Sequence, residues 1–121
     1  MFNLDRSFSS FSSNDLDAAR AFYAEQLGLT VTEEDGMLRL DLGGGRHHLI
    51  YPKDDHQPAT YTALNFVTAD IDQAVLELKQ RGVVFEQYPM TDADGIMRNN
   101  GPLIAWFTDP AGNFLSVIQT S

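Results

Sequence analysis

The sequence predicts an α+β fold in which a strand–helix–strand–strand–strand module is written twice, and three observations point to it. Asn14-Asp15-Leu16-Asp17 followed by Ala19 recurs half a chain later as Ala69-Asp70-Ile71-Asp72 followed by Ala74. Each copy follows a short strand-like run and opens an apolar stripe at helical spacing that stops at a glycine, Gly28 or Gly82. After each glycine come short apolar runs separated by turn-forming residues. Two copies of one unit can pair around a shared hollow, which is where function is expected.

Residues 7–13 (Ser-Phe-Ser-Ser-Phe-Ser-Ser) form the first strand candidate. Asn14 or Asp15 then supplies a side-chain oxygen to the orphan N–H groups of a helix start. Asp17 places negative charge in the first turn, where the helix dipole favours it. Leu16, Ala19, Phe22, Tyr23 and Leu27 fall on one helical face, and Gly28 can adopt the left-handed conformation that ends a helix. Strands are predicted over Leu29–Glu33, Met37–Leu42 and His47–Tyr51, with Asp35-Gly36 and Gly43-Gly44-Gly45 as turns. The first module thus covers 5–52, and a polar connector with two prolines covers 53–60.

The second module, 61–121, repeats the order. Tyr61–Thr68 is a strand, and Asp70 caps a helix whose apolar face is Ile71, Ala74, Val75 and Leu78. Val83–Tyr88 is predicted as a strand and 89–101 as a long loop. Leu103–Thr108 and Phe114–Gln119 are strands joined by the Asp109-Pro110-Ala111-Gly112-Asn113 turn. Loops of about a dozen residues are uncommon unless they work or are disordered. Residues 89–101 are therefore a candidate lid, with Met90, Ile96, Met97 and Arg98 closing over a ligand and Arg98 meeting any anionic group.

Composition narrows the function classes. At 121 residues the chain suffices for one domain, which buries roughly two thirds of its unfolded surface. With no cysteine, disulfides, thiolate metal sites and a cysteine nucleophile are excluded. A net charge of −9 with only eight Lys and Arg disfavours nucleic acid and anionic membranes as partners. The first residues lack the basic and apolar regions of a signal peptide, and no apolar run approaches the ~20 residues of a membrane span. A cytoplasmic location is the expectation.

Three stretches carry a resemblance to a known family. They are Asp15-Leu16-Asp17-Ala18-Ala19-Arg20-Ala21-Phe22-Tyr23 with Leu27-Gly28-Leu29, then Asn65 to Asp72 with Ala74 and Arg81-Gly82-Val83, and Trp106 to Phe114 around Asp109-Pro110-Ala111-Gly112-Asn113. In order, inside a duplicated frame, they make the chain similar to the vicinal oxygen chelate superfamily of glyoxalase I, extradiol dioxygenases and bleomycin-resistance proteins. The resemblance implies two βαβββ modules forming a curved mixed sheet, half-open barrels around a cavity, in a protein that is commonly a homodimer.

Metal-using members of that superfamily place four His or Glu ligands in the cavity. Carried over position by position, the slots fall at Phe8, at His48 or Leu49, at Ala63 and at Ser116. Phe8 and Ala63 have no lone pair to offer, and a serine hydroxyl is a poor ligand. A single imidazole cannot hold a catalytic cation, which needs three or four donors. No metal and no cofactor are therefore expected. His47 and His48, adjacent on a strand, point to opposite faces and cannot share an ion. Asp92-Ala93-Asp94-Gly95 lacks the later ligands of a calcium loop. Gly43-Gly44-Gly45 precedes a strand, not a helix, so it is not a phosphate cradle. No acid–base set assembles from these residues: Asp41 and His48 could face each other across the hairpin, but the stronger reading leaves one of them simply exposed.

Strand alternation then suggests the cavity lining. Phe8 brings Ser10 and Ser12 to its face, Ala63 brings Asn65 and Val67, and Ser116 brings Phe114 and Ile118. With Trp106, His48 and Arg98, the candidate ligand-binding residues are Phe8, Ser10, His48, Ala63, Asn65, Arg98, Trp106, Phe114 and Ser116. An apolar, aromatic wall with a few hydroxyls and an amide suits a small apolar or aromatic organic ligand. The leading expectation is a metal-independent binding protein that sequesters or senses such a molecule. The alternatives are a lyase, isomerase or dioxygenase with a displaced metal site near His48, and a dimeric interaction module with a filled cavity.

Overall fold

The computed structural model describes residues 1–99 and 101–120. It shows two compact units, Met1–Gln57 and Pro58–Ser121, each with one four-stranded mixed sheet and one principal helix.

Unit one opens with a 3₁₀ turn, Leu4–Arg6, and strand β1, Ser9–Ser13. Helix α1, Leu16–Ala21, follows, and then β2 Val31–Glu34, β3 Met37–Gly43 and β4 Arg46–Pro52. The sheet order is β1-β4-β3-β2, with β1 parallel to β4 and the other pairs antiparallel. Asp15 caps α1 as expected, its Oδ1 accepting from Ala18 N at 3.0 Å.

The helix does not run on to Gly28 as a regular α-helix. Phe22–Gln26 is π-helical, with Leu27 N donating to Phe22 O at 3.0 Å and Leu29 N to Tyr23 O at 2.9 Å. The wider turn lets consecutive Phe22 and Tyr23 both enter the core. They join Leu38, Leu40 and Ile50 on the sheet face that α1 covers. Each such buried side chain contributes about 1.5–3 kcal/mol.

Unit two repeats the plan. It has β5 Thr62–Thr68, α2 Ile71–Gln80, β6 Ile96–Met97, β7 Leu103–Thr108 and β8 Phe114–Gln119, in sheet order β5-β8-β7-β6 with β5 parallel to β8. Asp70 Oδ1 accepts from Gln73 N at 3.2 Å. The repeat also reaches two residues upstream of each cap. Asp15 N donates to Ser13 Oγ at 3.1 Å and Asp70 N to Thr68 Oγ1 at 3.2 Å. Helix α2 presses Ile71 and Val75 onto Ala105, Phe107, Leu115 and Val117. Gln119 Oε1 takes the otherwise orphaned Ile71 N at 2.9 Å.

The expected strand over Val83–Tyr88 is reduced to one bridge, Phe85 to Phe107, with Glu86 N donating to Trp106 O at 2.8 Å. Tyr88 N turns aside to Thr91 Oγ1 at 2.9 Å, and Pro89 has no N–H to continue the ladder. The rest of that β7 edge is filled from the expected loop, where Ile96 and Met97 pair with Ala105 and Ile104. Asn100 of that loop lies outside the described residues. Gly95 sits at φ +90°, where an added Cβ would fall 2.9 Å from Phe85 Cβ, so the loop closes tightly onto its own unit.

Candidate functional site

The turn between β7 and β8 is a closed polar knot. Buried Asp109 accepts from Ala111 N and Asn113 N through Oδ1, both at 2.9 Å, and from Asn113 Nδ2 through Oδ2 at 3.0 Å. The carboxylate is engaged by two local backbone N–H groups and the Asn113 side-chain amide, so this motif shapes the β7–β8 hairpin.

Beyond that hairpin, the sheet face turned away from α2 carries the densest group of candidate residues. Register places Trp106 opposite Ser116, Ser116 beside Asn65, Val67 beside Ile118 and Phe114 beside Thr62. Ser116 is fully buried and its Oγ donates to Asn65 Oδ1 at 2.6 Å. That bond fixes the amide, and among the described residues nothing accepts from Asn65 Nδ2, which sits on an exposed residue. Trp106 Nε1 donates to Thr62 Oγ1 at 3.1 Å. Its ring meets Tyr88 edge-on, with centroids 5.7 Å apart and an interplanar angle of 77°. Burial keeps the Tyr88 phenol above its ordinary pKa, with Glu86 adding to the effect. The phenol therefore stays neutral across the working range.

Thr62 and Tyr88 were absent from the sequence expectation. A register shift between Thr62 and Leu64 puts Ala63 in a bulge, so Thr62 joins Asn65 on one face although three positions separate them. Alternation alone assigns them to opposite faces, and no residue pattern marks the bulge. Tyr88 arrives from the segment that failed to form a strand.

In unit one the candidates divide between two faces. Ser10 pairs with Leu49, and Phe8, 54% exposed, stacks on His47 with centroids 4.9 Å apart. Ser12 shares that side, its Oγ 2.5 Å from His56 Nδ1. His48 lies on the α1 side, 1% exposed, with Nδ1 2.7 Å from Ser9 Oγ and its ring edge-on to Phe11. Its Nε2 is buried without a partner. Burial pushes the imidazole down to about 4, helped by His47 next to it. The antiparallel register sets Leu40, not Asp41, against His48; Asp41 faces His47. Asp41 and His48 therefore do not meet, and Asp41 is exposed, as the stronger reading of the sequence has it.

Arg98 also lies away from the Trp106 face. It donates through Nη2 to Asp72 Oδ1 at 2.5 Å and through Nε to Asp92 Oδ2 at 2.7 Å. The Asp72 and Asp92 carboxylates raise its already high pKa further. Lys79 pairs with Asp94 at 3.2 Å. These contacts tie the 91–98 segment to α2, so in this structure the segment is fastened rather than raised as a lid.

The four positions carried over from the superfamily's metal ligands do not supply a ligand set among the described residues. Phe8 and Ala63 carry none, Ser116 is committed to Asn65, and Leu49, not His48, shares the face of Phe8 and Ser10. Among the described residues no three His, Asp or Glu side chains converge to hold an ion.

Residues 10–117 match the family model for the glyoxalase/bleomycin resistance protein/dioxygenase superfamily. A search of curated proteins found no match. Among solved structures, TnmS3 from Streptomyces sp. CB03234, described as an antibiotic binding protein, is similar at 22% identity and a TM-score of 0.69, covering 95% of this chain and 96% of that one. A superfamily member from Sphaerobacter thermophilus DSM 20745 is similar at 24% identity and a TM-score of 0.69, covering 94% and 97%. A glyoxalase family protein from Enterococcus faecalis is similar at 23% identity and a TM-score of 0.71, covering 98% and 99%. With the match spanning nearly the whole chain and the module repeated in both units, this protein belongs to the glyoxalase/bleomycin resistance protein/dioxygenase superfamily.

Proposed function

We propose that the protein binds a small, flat, largely apolar or aromatic molecule without a metal, to sequester or sense it, and that the Asn65–Trp106–Phe114–Ser116 face of unit two is the principal contact. One observation carries this reading. Ser116 holds the oxygen of Asn65, which turns the amide N–H group outward on the sheet face that also carries Trp106. Such a face offers ring stacking and one directed donor, the combination that orients a conjugated ligand bearing a carbonyl or ether oxygen. Ala63 is proposed as a secondary contact on that face, and Phe8 and Ser10 are proposed as ligand contacts of unit one on its own. His48 and Arg98 act through the fold, since one is buried under α1 and the other is held by two carboxylates. A solved structure of similar fold is described as an antibiotic binding protein, which supports binding rather than turnover. The working form is proposed to be a homodimer.

The test uses the chain's single tryptophan. Coumarin, a neutral planar lactone, should quench Trp106 fluorescence saturably in the presence of a chelator. Naphthalene, which lacks the acceptor oxygen, should bind more weakly. Loss of one hydrogen bond worth about 1 kcal/mol predicts a roughly fivefold weaker coumarin affinity for Asn65→Leu. Equal affinity for both probes, unaffected by Asn65→Leu, would remove Asn65 from the site.

A further inference from the structure

Unit one holds a hollow of about 300 Å³, lined by Thr30, Thr32, Arg39, Asp41 and the Gly43–Gly45 turn. Thr32 pairs with Arg39, and Asp41 N donates to Thr30 O at 3.0 Å. The four side chains therefore rise from one face of the β2–β3 hairpin. The side chains lining the hollow are threonine, arginine and aspartate, so it offers several hydrogen-bond partners and no aromatic ring. The turn runs through three successive left-handed glycines, φ +82°, +61° and +77°. A side chain there would be strained, so glycine leaves that rim as bare backbone.

The polar groups are partly committed in a way that selects a ligand class. Asp41 Oδ1 accepts from Gly43 N at 2.8 Å, which anchors the carboxylate and leaves Oδ2 as an acceptor. Arg39 gives Nη1 to Glu34 Oε2 at 3.3 Å, which leaves most of its five donors. A cation entering beside Asp41 also meets the Arg39 guanidinium. An anion approaching Arg39 also meets the Asp41 and Glu34 carboxylates. A neutral group with adjacent hydroxyls satisfies both, donating to Asp41 and accepting from Arg39, while the two threonine hydroxyls serve either role. We propose that this hollow binds a polyhydroxylated, sugar-like group, either a free saccharide or a sugar carried on a larger ligand. The proposal does not depend on the unit-two face.

Amide-resolved NMR on the full chain tests it, with methyl α-D-glucopyranoside, inorganic phosphate and glycine as probes. The glycoside should shift the Gly43, Gly44 and Gly45 amides saturably, with a midpoint in the millimolar range expected of a few exposed hydrogen bonds. Asp41→Ala and Arg39→Ala should each weaken that midpoint at least about fivefold, with the amide pattern of β4 unchanged as the control for folding. Thr32→Val, which keeps shape and removes a hydroxyl, should weaken it less. Three results would overturn the proposal: no saturable glycoside shift, a larger response to phosphate or glycine at equal concentration, or a glycoside midpoint unchanged in both the Asp41 and Arg39 variants.

Discussion

Replacing His48 with leucine should change how stability depends on pH, by an amount the structure sets. His48 is 1% exposed and its Nε2 has no partner, so protonation in the folded state would bury an uncompensated charge. The folded pKa is accordingly pushed from the ordinary 6.5 down to about 4. Because the unfolded chain binds this proton more readily, the folded state loses stability as pH falls from the unfolded value toward the folded one. At about 1.4 kcal/mol per pKa unit, the loss between pH 7.5 and pH 4 is about 3 kcal/mol. Leucine removes the titration. At pH 7.5 the variant should lie within about 1 kcal/mol of the parent, since relief of an unsatisfied nitrogen offsets the lost bond to Ser9. Urea unfolding of both proteins at pH 7.5, 5.5 and 4 isolates the effect, because carboxylate contributions cancel in the difference. A pH-independent difference would refute the argument and place His48 in contact with water or another charge.

Three further outcomes follow from the same structure. Asp109→Ala removes the carboxylate that accepts three N–H bonds within the β7–β8 turn and should destabilise by about 1–3 kcal/mol in urea unfolding; an unchanged stability would mean the turn holds without the carboxylate. Gly95→Ala combines a left-handed φ with a 2.9 Å approach to Phe85 and should destabilise by about 2 kcal/mol or more; neutrality would show that the 91–98 segment is looser than described. Sedimentation at micromolar concentration should give a dimer, and a monomer would count against the proposed homodimer.

The local signals were legible and the face assignments were not. Asp15, Asp70 and the Asp109–Asn113 turn act through bonds to backbone within four residues, and such chemistry is written in the sequence beside it. Alternation along β8 put Phe114 and Ser116 on one face, but it left the parity of Trp106 open, and the β7–β8 register is what sets Trp106 against Ser116. The limits arose where one residue of register decides the outcome. His47 and His48 are chemically alike, and only the pairing of Leu40 with His48 says which ring goes under α1. The bulge at Ala63 and the π-helical turn at Phe22–Gln26 each alter a strand or helical period by one residue, and no local residue pattern marks either. Arg98 read as a free cation because neither the fold of the loop that brings Asp92 to it nor the docking on Asp72, 26 positions away, is marked by a residue pattern.

Native mass spectrometry of chelator-treated protein incubated with coumarin tests most directly whether ligand binding stands without a metal. The account predicts protein carrying coumarin with no metal mass, and the same occupancy after zinc, nickel or manganese is added. An adduct that forms only once one of those ions is present and retained would contradict it.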